Sequence, residues 1–519
     1  MPTKRLLFGL WEPDSNEILG NGRASQAVNV VPVKGGYKAI NGWGRATGDG
    51  GTAYSTNIFP SFGNNIIGAF AAKGPTGAAV DIISATSDVF MVEFASVTVT
   101  AMSSPPTAAD TPLFRDITQY GDNIIMANGI GAGATSVAYY DLSSSTAWNA
   151  VKADFKARTI TTMRDFVVVG YTKEGSTEYP NRVQWCGYGN ILAWTPSAAT
   201  QSDFQDMPAE FGRVQRVVGG NETFVVCEAG VAIMRYVGGA TIMRFDYIHK
   251  NIGTAHPASC VRVGGYLYMF AKQGFVRLGM QEGDVAWIGS GRVDKEFRYN
   301  IELNSPYPRA NGYHDQLNGG IGWQYTQTSG SAFFYSYIHD QWVVHGDTDS
   351  DDRDDAAFVY SSSISTLSGA TYGTSSGVPT AVAVGLISGG GSYQLMAQND
   401  QDNKARIVVS TGIEELTPAR RSIVDKVYPL CELRDSGLTT PVLVVSSFPD
   451  SINATLHSDT SNGATASLQT GGFFTVTGKG SYEGKYHRFV LSNSRTAASR
   501  ANEQEYMGVD VDYFARGKY

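Results

Sequence analysis

Several stretches of this chain carry residue types and spacings that could do chemistry, and each makes a demand on the backbone around it. Gly373-Thr374-Ser375-Ser376-Gly377 spells the G-x-S-x-G of a nucleophile elbow, in which a sharp strand-to-helix turn exposes the serine hydroxyl. These residues lie in a Ser/Thr/Gly linker, so a linker is expected and no nucleophile. Gly129-Ile130-Gly131-Ala132-Gly133-Ala134 half-matches a dinucleotide loop, whose glycines let backbone amides approach a pyrophosphate at a helix N-terminus. The next segment, Val137-Ala138-Tyr139-Tyr140-Asp141-Leu142, reads as a strand, so the helix that would face the phosphates is missing.

The run Asp347-Thr348-Asp349-Ser350-Asp351-Asp352-Arg353-Asp354-Asp355 begins like a calcium loop, where oxygen ligands alternate around a hard cation. Its sixth position is Asp352 where glycine is needed, and its twelfth is Phe358 where glutamate is needed. The reading is a solvated, self-repelling acidic loop. Asp347, Asp349, Asp351, Asp352, Asp354 and Asp355 are candidate channel-facing charges that would repel passing DNA phosphate. The histidines (His249, His256, His314, His339, His345, His457, His487) lack the close helical pairing of a zinc site, and His339 and His345 flank a predicted strand. Cys186, Cys227, Cys260 and Cys431 are far apart with no C-x-x-C, which predicts free buried thiols. No carboxylate pair stands out for glycoside hydrolysis. The expectation is therefore no catalytic residue, no cofactor and no metal.

One aromatic segment remains. Tyr179-Pro180-Asn181-Arg182-Val183-Gln184-Trp185-Cys186-Gly187, continuing to Ala193-Trp194-Thr195, joins a guanidinium to two indoles. It could form a sugar platform. The preferred reading packs Trp185 and Trp194 between sheets, with Asn181, Arg182 and Gln184 ordering a loop or a subunit contact.

The elements that must position these residues are short strands in a loose repeat. Gly63-Asn64-Asn65-Ile66-Ile67-Gly68-Ala69-Phe70, Gly121-Asp122-Asn123-Ile124-Ile125-Met126-Ala127, Arg164-Asp165-Phe166-Val167-Val168-Val169-Gly170, Gly220-Asn221-Glu222-Thr223-Phe224-Val225-Val226 and Gly264-Gly265-Tyr266-Leu267-Tyr268-Met269-Phe270 each read as a turn and the second strand of a hairpin. Their spacing brackets the roughly 40–50 residues of a four-stranded blade. Fainter meanders come later, at Gly320–Tyr325, Ala332–Tyr337 with Trp342–Val344, and Ala381–Val384 with Tyr393–Met396. The predicted fold is all-β: a β-propeller of about six blades over 50–416, with stacked β-sandwiches as the alternative. After Thr417 the texture changes to strands separated by long polar stretches, which predicts a small β-sandwich-like domain over 417–504. Residues 1–49 read as an N-terminal segment whose strand contacts an adaptor or neighbour, and 505–519 as a C-terminal strand returning to the body.

Composition agrees with that class. Charged residues are only 17% of the chain, below the roughly 25% of average domains, while 59 glycines supply turns. The net charge of −8 argues against a surface built to grip phosphates. The run Arg5-Leu6-Leu7-Phe8-Gly9-Leu10-Trp11 is too short for a signal sequence, and no stretch approaches a membrane span. A protein made in the cytoplasm is expected.

Asn181-Arg182-Val183-Gln184-Trp185, then Trp194, Asp203-Phe204-Gln205, the hairpin Thr223–Val231 and Arg235-Tyr236, resemble the tail hub or nozzle (tail stabilisation) proteins of short-tailed, podovirus-like bacteriophages. Ala27-Val28-Asn29-Val30-Val31-Pro32 with Gly35-Gly36-Tyr37, and the end Gly508-Val509-Asp510-Val511-Asp512-Tyr513, resemble that family's first and last strands. The likeness spans most of 25–415 plus the end, and does not extend to 417–500. It implies a non-enzymatic virion protein, assembled in the host cytoplasm as a homohexameric ring below the portal-adaptor complex. Such a ring retains packaged DNA and guides its ejection without sequence-specific binding or membrane insertion. Its neighbours would be the portal-adaptor protein and a tail fibre or needle protein. Two alternatives stay open: a receptor-binding or polysaccharide-degrading tail protein, and a protein-binding β-propeller scaffold.

Overall fold

The computed structural model describes residues 1–15, 22–40, 43–45, 66–85, 88–93, 98–109, 115–303, 310–316, 318–325, 331–346, 356–361, 383–389, 392–398, 407–418, 420–432, 442–448, 464–467, 474–476, 483–493 and 505–516. The acidic run 347–355, the G-x-S-x-G at 373–377 and His457 lie outside these.

Six sheets of four antiparallel strands, together with the first four strands of a nine-stranded sheet, succeed one another along the chain as propeller blades. Blades one to six are contiguous in sequence, with strands within 68–101, 116–150, 155–206, 214–250, 261–287 and 311–345. Blade seven is Ala356–Ser361, Ala383–Gly389 and Ser392–Gln398, and its fourth strand is Trp43–Arg45, brought from the N-terminal region to pair with Met396–Gln398. Seven blades stand where about six were expected, the early strand Trp43–Arg45 completing the seventh. First strands of blades one to four touch in turn, as do those of blades five to seven, and Ala356–Ser361 meets Gly68–Lys73 to close the circle.

Local sequence explains these strands. Phe166–Tyr171 is buried residue after residue, the apolar run expected of a strand covered on both faces. Gly121, Arg164 and Gly264 take φ values of 57°, 51° and 59° at tight turns between first and second strands, the left-handed geometry two-residue hairpins need. The Gly63–Phe70 segment differs from its expected place: Gly68–Lys73 is the first strand of blade one, not the second strand of a hairpin.

The remaining strands form two sheets facing one another. One continues blade six through a single parallel pairing, Val28 with Val344, into Ala24–Val28, Ile407–Thr411, Tyr486–Asn493, Val442–Phe448 and Ala464–Ser467. The other holds Thr3–Leu7, Val30–Val33, Gly36–Ala39, Glu505–Ala515, Ser422–Glu432, Phe474–Thr475 and Glu483–Gly484. This corrects the expected partition. The C-terminal strand pairs with Ser422–Glu432 and with Thr3–Leu7 instead of returning to the propeller. The strand Ile407–Thr411, expected in the body, also belongs to the sandwich. The physical reason is complementary alternation: Leu6, Val427, Val509 and Val511 all turn into one core. That core runs without interruption into Phe275, Phe297, Trp323 and Trp342 of blades five and six and the intervening helix, Asp294–Leu303. Asp14, from the N-terminal segment, caps this helix by accepting the Lys295 and Glu296 amides at 2.6 and 2.9 Å.

Candidate functional site

The aromatic segment singled out in sequence is the third strand of blade three, Thr177–Trp185, and the loop after it. Arg182 lies between the Tyr179 and Phe204 rings, 3.8 and 3.7 Å from their centroids. It donates through Nε and Nη2 to both oxygens of Asp206 at 2.8 and 3.0 Å. The carboxylate raises the guanidinium's pKa, chiefly through these hydrogen bonds. Two aromatic faces and a bidentate anion fix a side chain that would otherwise sweep freely. The backbone carbonyl of Asn181 accepts the Met207 amide at 2.8 Å.

The two indoles do not form a platform. Trp185 and Trp194 are 3% and 1% exposed. Trp185 Nε1 donates to the Gln201 carbonyl at 2.9 Å, and Trp194 Nε1 to the Ile191 carbonyl at 2.6 Å. Gln184 ties the two segments by donating to the Trp194 carbonyl at 3.2 Å. Trp194 packs on Phe155, centroids 4.9 Å apart. Both tryptophans therefore act as packing.

Above them lies a notch that sequence reading missed. It is a cleft of about 240 Å³ between blades three and four, lined by Arg164, Asp165, Phe166, Tyr188, Gln201 and Tyr236. Phe166 is 1% exposed and forms its floor. Tyr188 and Tyr236 each stand 5.5 Å from that ring, Tyr188 edge-on. Tyr188 is 57% exposed, yet it is held in place: its amide donates to the Thr200 carbonyl at 2.8 Å, and Gly189 N to the Asp165 carbonyl at 3.0 Å. The negative charge of Asp165 and a hydrogen bond to its carboxylate raise the Tyr188 phenol's pKa. Tyr236 donates to Gln201 Oε1 at 3.2 Å, and Arg164 Nε to the Asn221 carbonyl at 3.3 Å. In sequence the Arg164-Asp165 pair marks only a hairpin turn, and Tyr188 has no periodic signal because it lies in a 17-residue loop.

A second polar group ties the blades together from inside. Asp116, on the first strand of blade two, accepts Thr159 Oγ1 at 2.5 Å and Ile160 N at 3.2 Å from blade three, and Arg216 Nη2 at 3.3 Å from blade four. Arg216 Nη1 in turn donates at 3.0 Å to the carbonyls of Pro257 and Cys260, at the entrance to blade five. Burial raises the Asp116 pKa against the opposing pull of Arg216, Thr159 and Ile160. The described histidines are dispersed. His249 donates to the Gly279 carbonyl at 3.1 Å, His345 stacks 4.3 Å from Phe334, and His487 bonds Ser422 and Ser447 at 2.9 Å each. No group of three His, Cys, Asp or Glu side chains stands close enough to hold a metal among the described residues. The Gly129–Ala134 segment is a turn leading to the strand Ala138–Asp141, as expected.

No family model matches the chain, and no curated protein matches it. Solved structures give distant likenesses. The extracellular domain of the putative one-component system BT4673 from B. thetaiotaomicron is 8% identical with a TM-score of 0.39, covering 67% of this chain and 40% of that one. The dihydro-heme d1 dehydrogenase NirN is 11% identical with a TM-score of 0.33, covering 89% and 81%. Apo AztD from Citrobacter koseri is 9% identical with a TM-score of 0.28, covering 55% and 89%. None of these likenesses bears on function.

Proposed function

We propose that this chain is a non-enzymatic structural subunit of the tail nozzle or hub ring of a short-tailed bacteriophage. The observation that supports this reading is mechanical. One hydrophobic core and one nine-stranded sheet join propeller to sandwich, and strands from both ends of the chain are sewn into the interior. The Asp116–Arg216 tie then links four consecutive blades. A body built this way resists shear between its parts, which suits a ring wall that must hold pressurised DNA and later let it pass. Six copies would enclose an axial channel beneath the portal-adaptor protein, with genomic DNA passing unread and a fibre or needle protein attached. The strands within 417–504 would meet the neighbouring tail component. A weakly acidic surface suits a conduit that must not retain DNA.

Native mass spectrometry of the purified full chain tests the reading. A hexamer is expected. A trimer or a persistent monomer at micromolar concentration overturns it, as does depolymerisation of a host glycan by the purified protein.

A further inference from the structure

The notch at the blade three and four junction has the makings of a ligand site, and we propose that it binds a single neutral sugar unit. The inference does not rest on the tail assignment. Its first support is shape. Three aromatic rings form a floor and two walls, and the apolar C–H faces of a pyranose pack on such rings while its hydroxyls point outward. A cleft of about 240 Å³ is below the roughly 300–1,000 Å³ of drug-sized sites, so it admits one ring, a chain end or a branch.

The second support is polarity. Among the described residues the terminal nitrogens of Arg164 and Nε2 of Gln201 make no hydrogen bond, Arg164 bonding through Nε and Gln201 through its carbonyl oxygens. They are donors, and the Asp165 carboxylate is an acceptor. A polyol uses both kinds, each hydroxyl giving and receiving. The third support is charge. Arg164 and Asp165 are adjacent and cancel, which favours a neutral ligand over a uronic or sialic acid. A cationic ligand is disfavoured because the Arg164 guanidinium already lies 5.8 Å from the Tyr236 ring. A nucleotide, whose phosphates are anionic, is disfavoured by the chain's net charge of −8. The fourth support is pre-organisation. Tyr188 is exposed but fixed by backbone hydrogen bonds on both sides, so little ordering cost falls on binding.

Saturation-transfer NMR on the full chain, with methyl α-glucoside, methyl β-galactoside and N-acetylglucosamine at millimolar concentration, tests this. At least one should receive saturation at its ring protons. Tyr188→Ala should abolish the signal without moving the thermal unfolding midpoint, because the side chain is largely exposed, while Tyr188→Phe keeps the ring and the signal. Asp165→Asn should weaken binding about tenfold, the scale of one hydrogen bond to a charged group. No transfer to any of the three sugars overturns the proposal. So does transfer that survives Tyr188→Ala, or, with methyl glucuronide added as a fourth probe, transfer to that acid alone.

Discussion

Truncating Asp116 to alanine probes how the propeller is held together. The substitution removes the acceptor of Thr159 Oγ1, Ile160 N and Arg216 Nη2 at once, leaving a buried hydroxyl, a buried amide and a guanidinium without their anion. Breaking a buried pair by removing one partner costs about 3–5 kcal/mol. Here Arg216 keeps two carbonyl acceptors and a side chain 21% exposed, so about 2–3 kcal/mol is expected. With an unfolding entropy of roughly 2.1 cal/mol/K per residue, cooperative melting of the whole chain turns that into a fall in Tm of about 2–3 °C. Scanning calorimetry reads the midpoint, and a cycle with Arg216→Met isolates the pair, with a coupling of about 1–2 kcal/mol expected. Asp116→Asn should cost less, and its deficit should shrink as pH rises. The folded state raises the Asp116 pKa, so the stability this carboxyl contributes is fully present below its ordinary value of 3.8 and is lost as pH climbs through the raised one. An unchanged Tm for Asp116→Ala, or zero coupling to Arg216, would refute the reasoning.

Other consequences are as accessible. Asp294 is pushed up to about 6, mainly by burial, against the Phe275 amide that donates to it at 2.9 Å. Asp294→Asn should therefore gain on the native chain by roughly 1–2 kcal/mol between pH 4 and 7, read from Tm differences across that range. Gly44→Pro disturbs the strand that completes blade seven; hydrogen-exchange mass spectrometry should show faster exchange over 392–398, and unchanged protection there would contradict the closure. Cys186, Cys227 and Cys260 are buried and pushed up to about 12, and Cys431 to about 11. Ellman's reagent at pH 8 should find almost no fast-reacting thiol in the native chain and all four after denaturation.

Much of the propeller was legible because its information is local. Turn residues such as Gly121-Asp122, Arg164-Asp165 and Gly264-Gly265 sit where left-handed backbone is required, and the apolar runs after them are the covered second strands. Long-range pairing escaped. Nothing in Trp43-Gly44-Arg45 announces a partner at Met396–Gln398, and nothing in Glu505–Ala515 says that it lies between Thr3–Leu7 and Ser422–Glu432. Alternation fixes which face of a strand is buried but not which strand lies beside it. The site divided in the same way. Trp185 and Trp194 read correctly as packing, since large indoles in an apolar strand find core partners. The notch depends on Arg164 from a hairpin turn, Tyr188 and Gln201 from opposite ends of one long loop, and Tyr236 from the next blade, and only the fold brings them together.

Single-particle cryo-electron microscopy of the purified full-length chain tests the central claim most directly. Sixfold rings with an open axial channel, each wedge containing a seven-bladed propeller, are the predicted result. Threefold spikes or dispersed single propellers would contradict it.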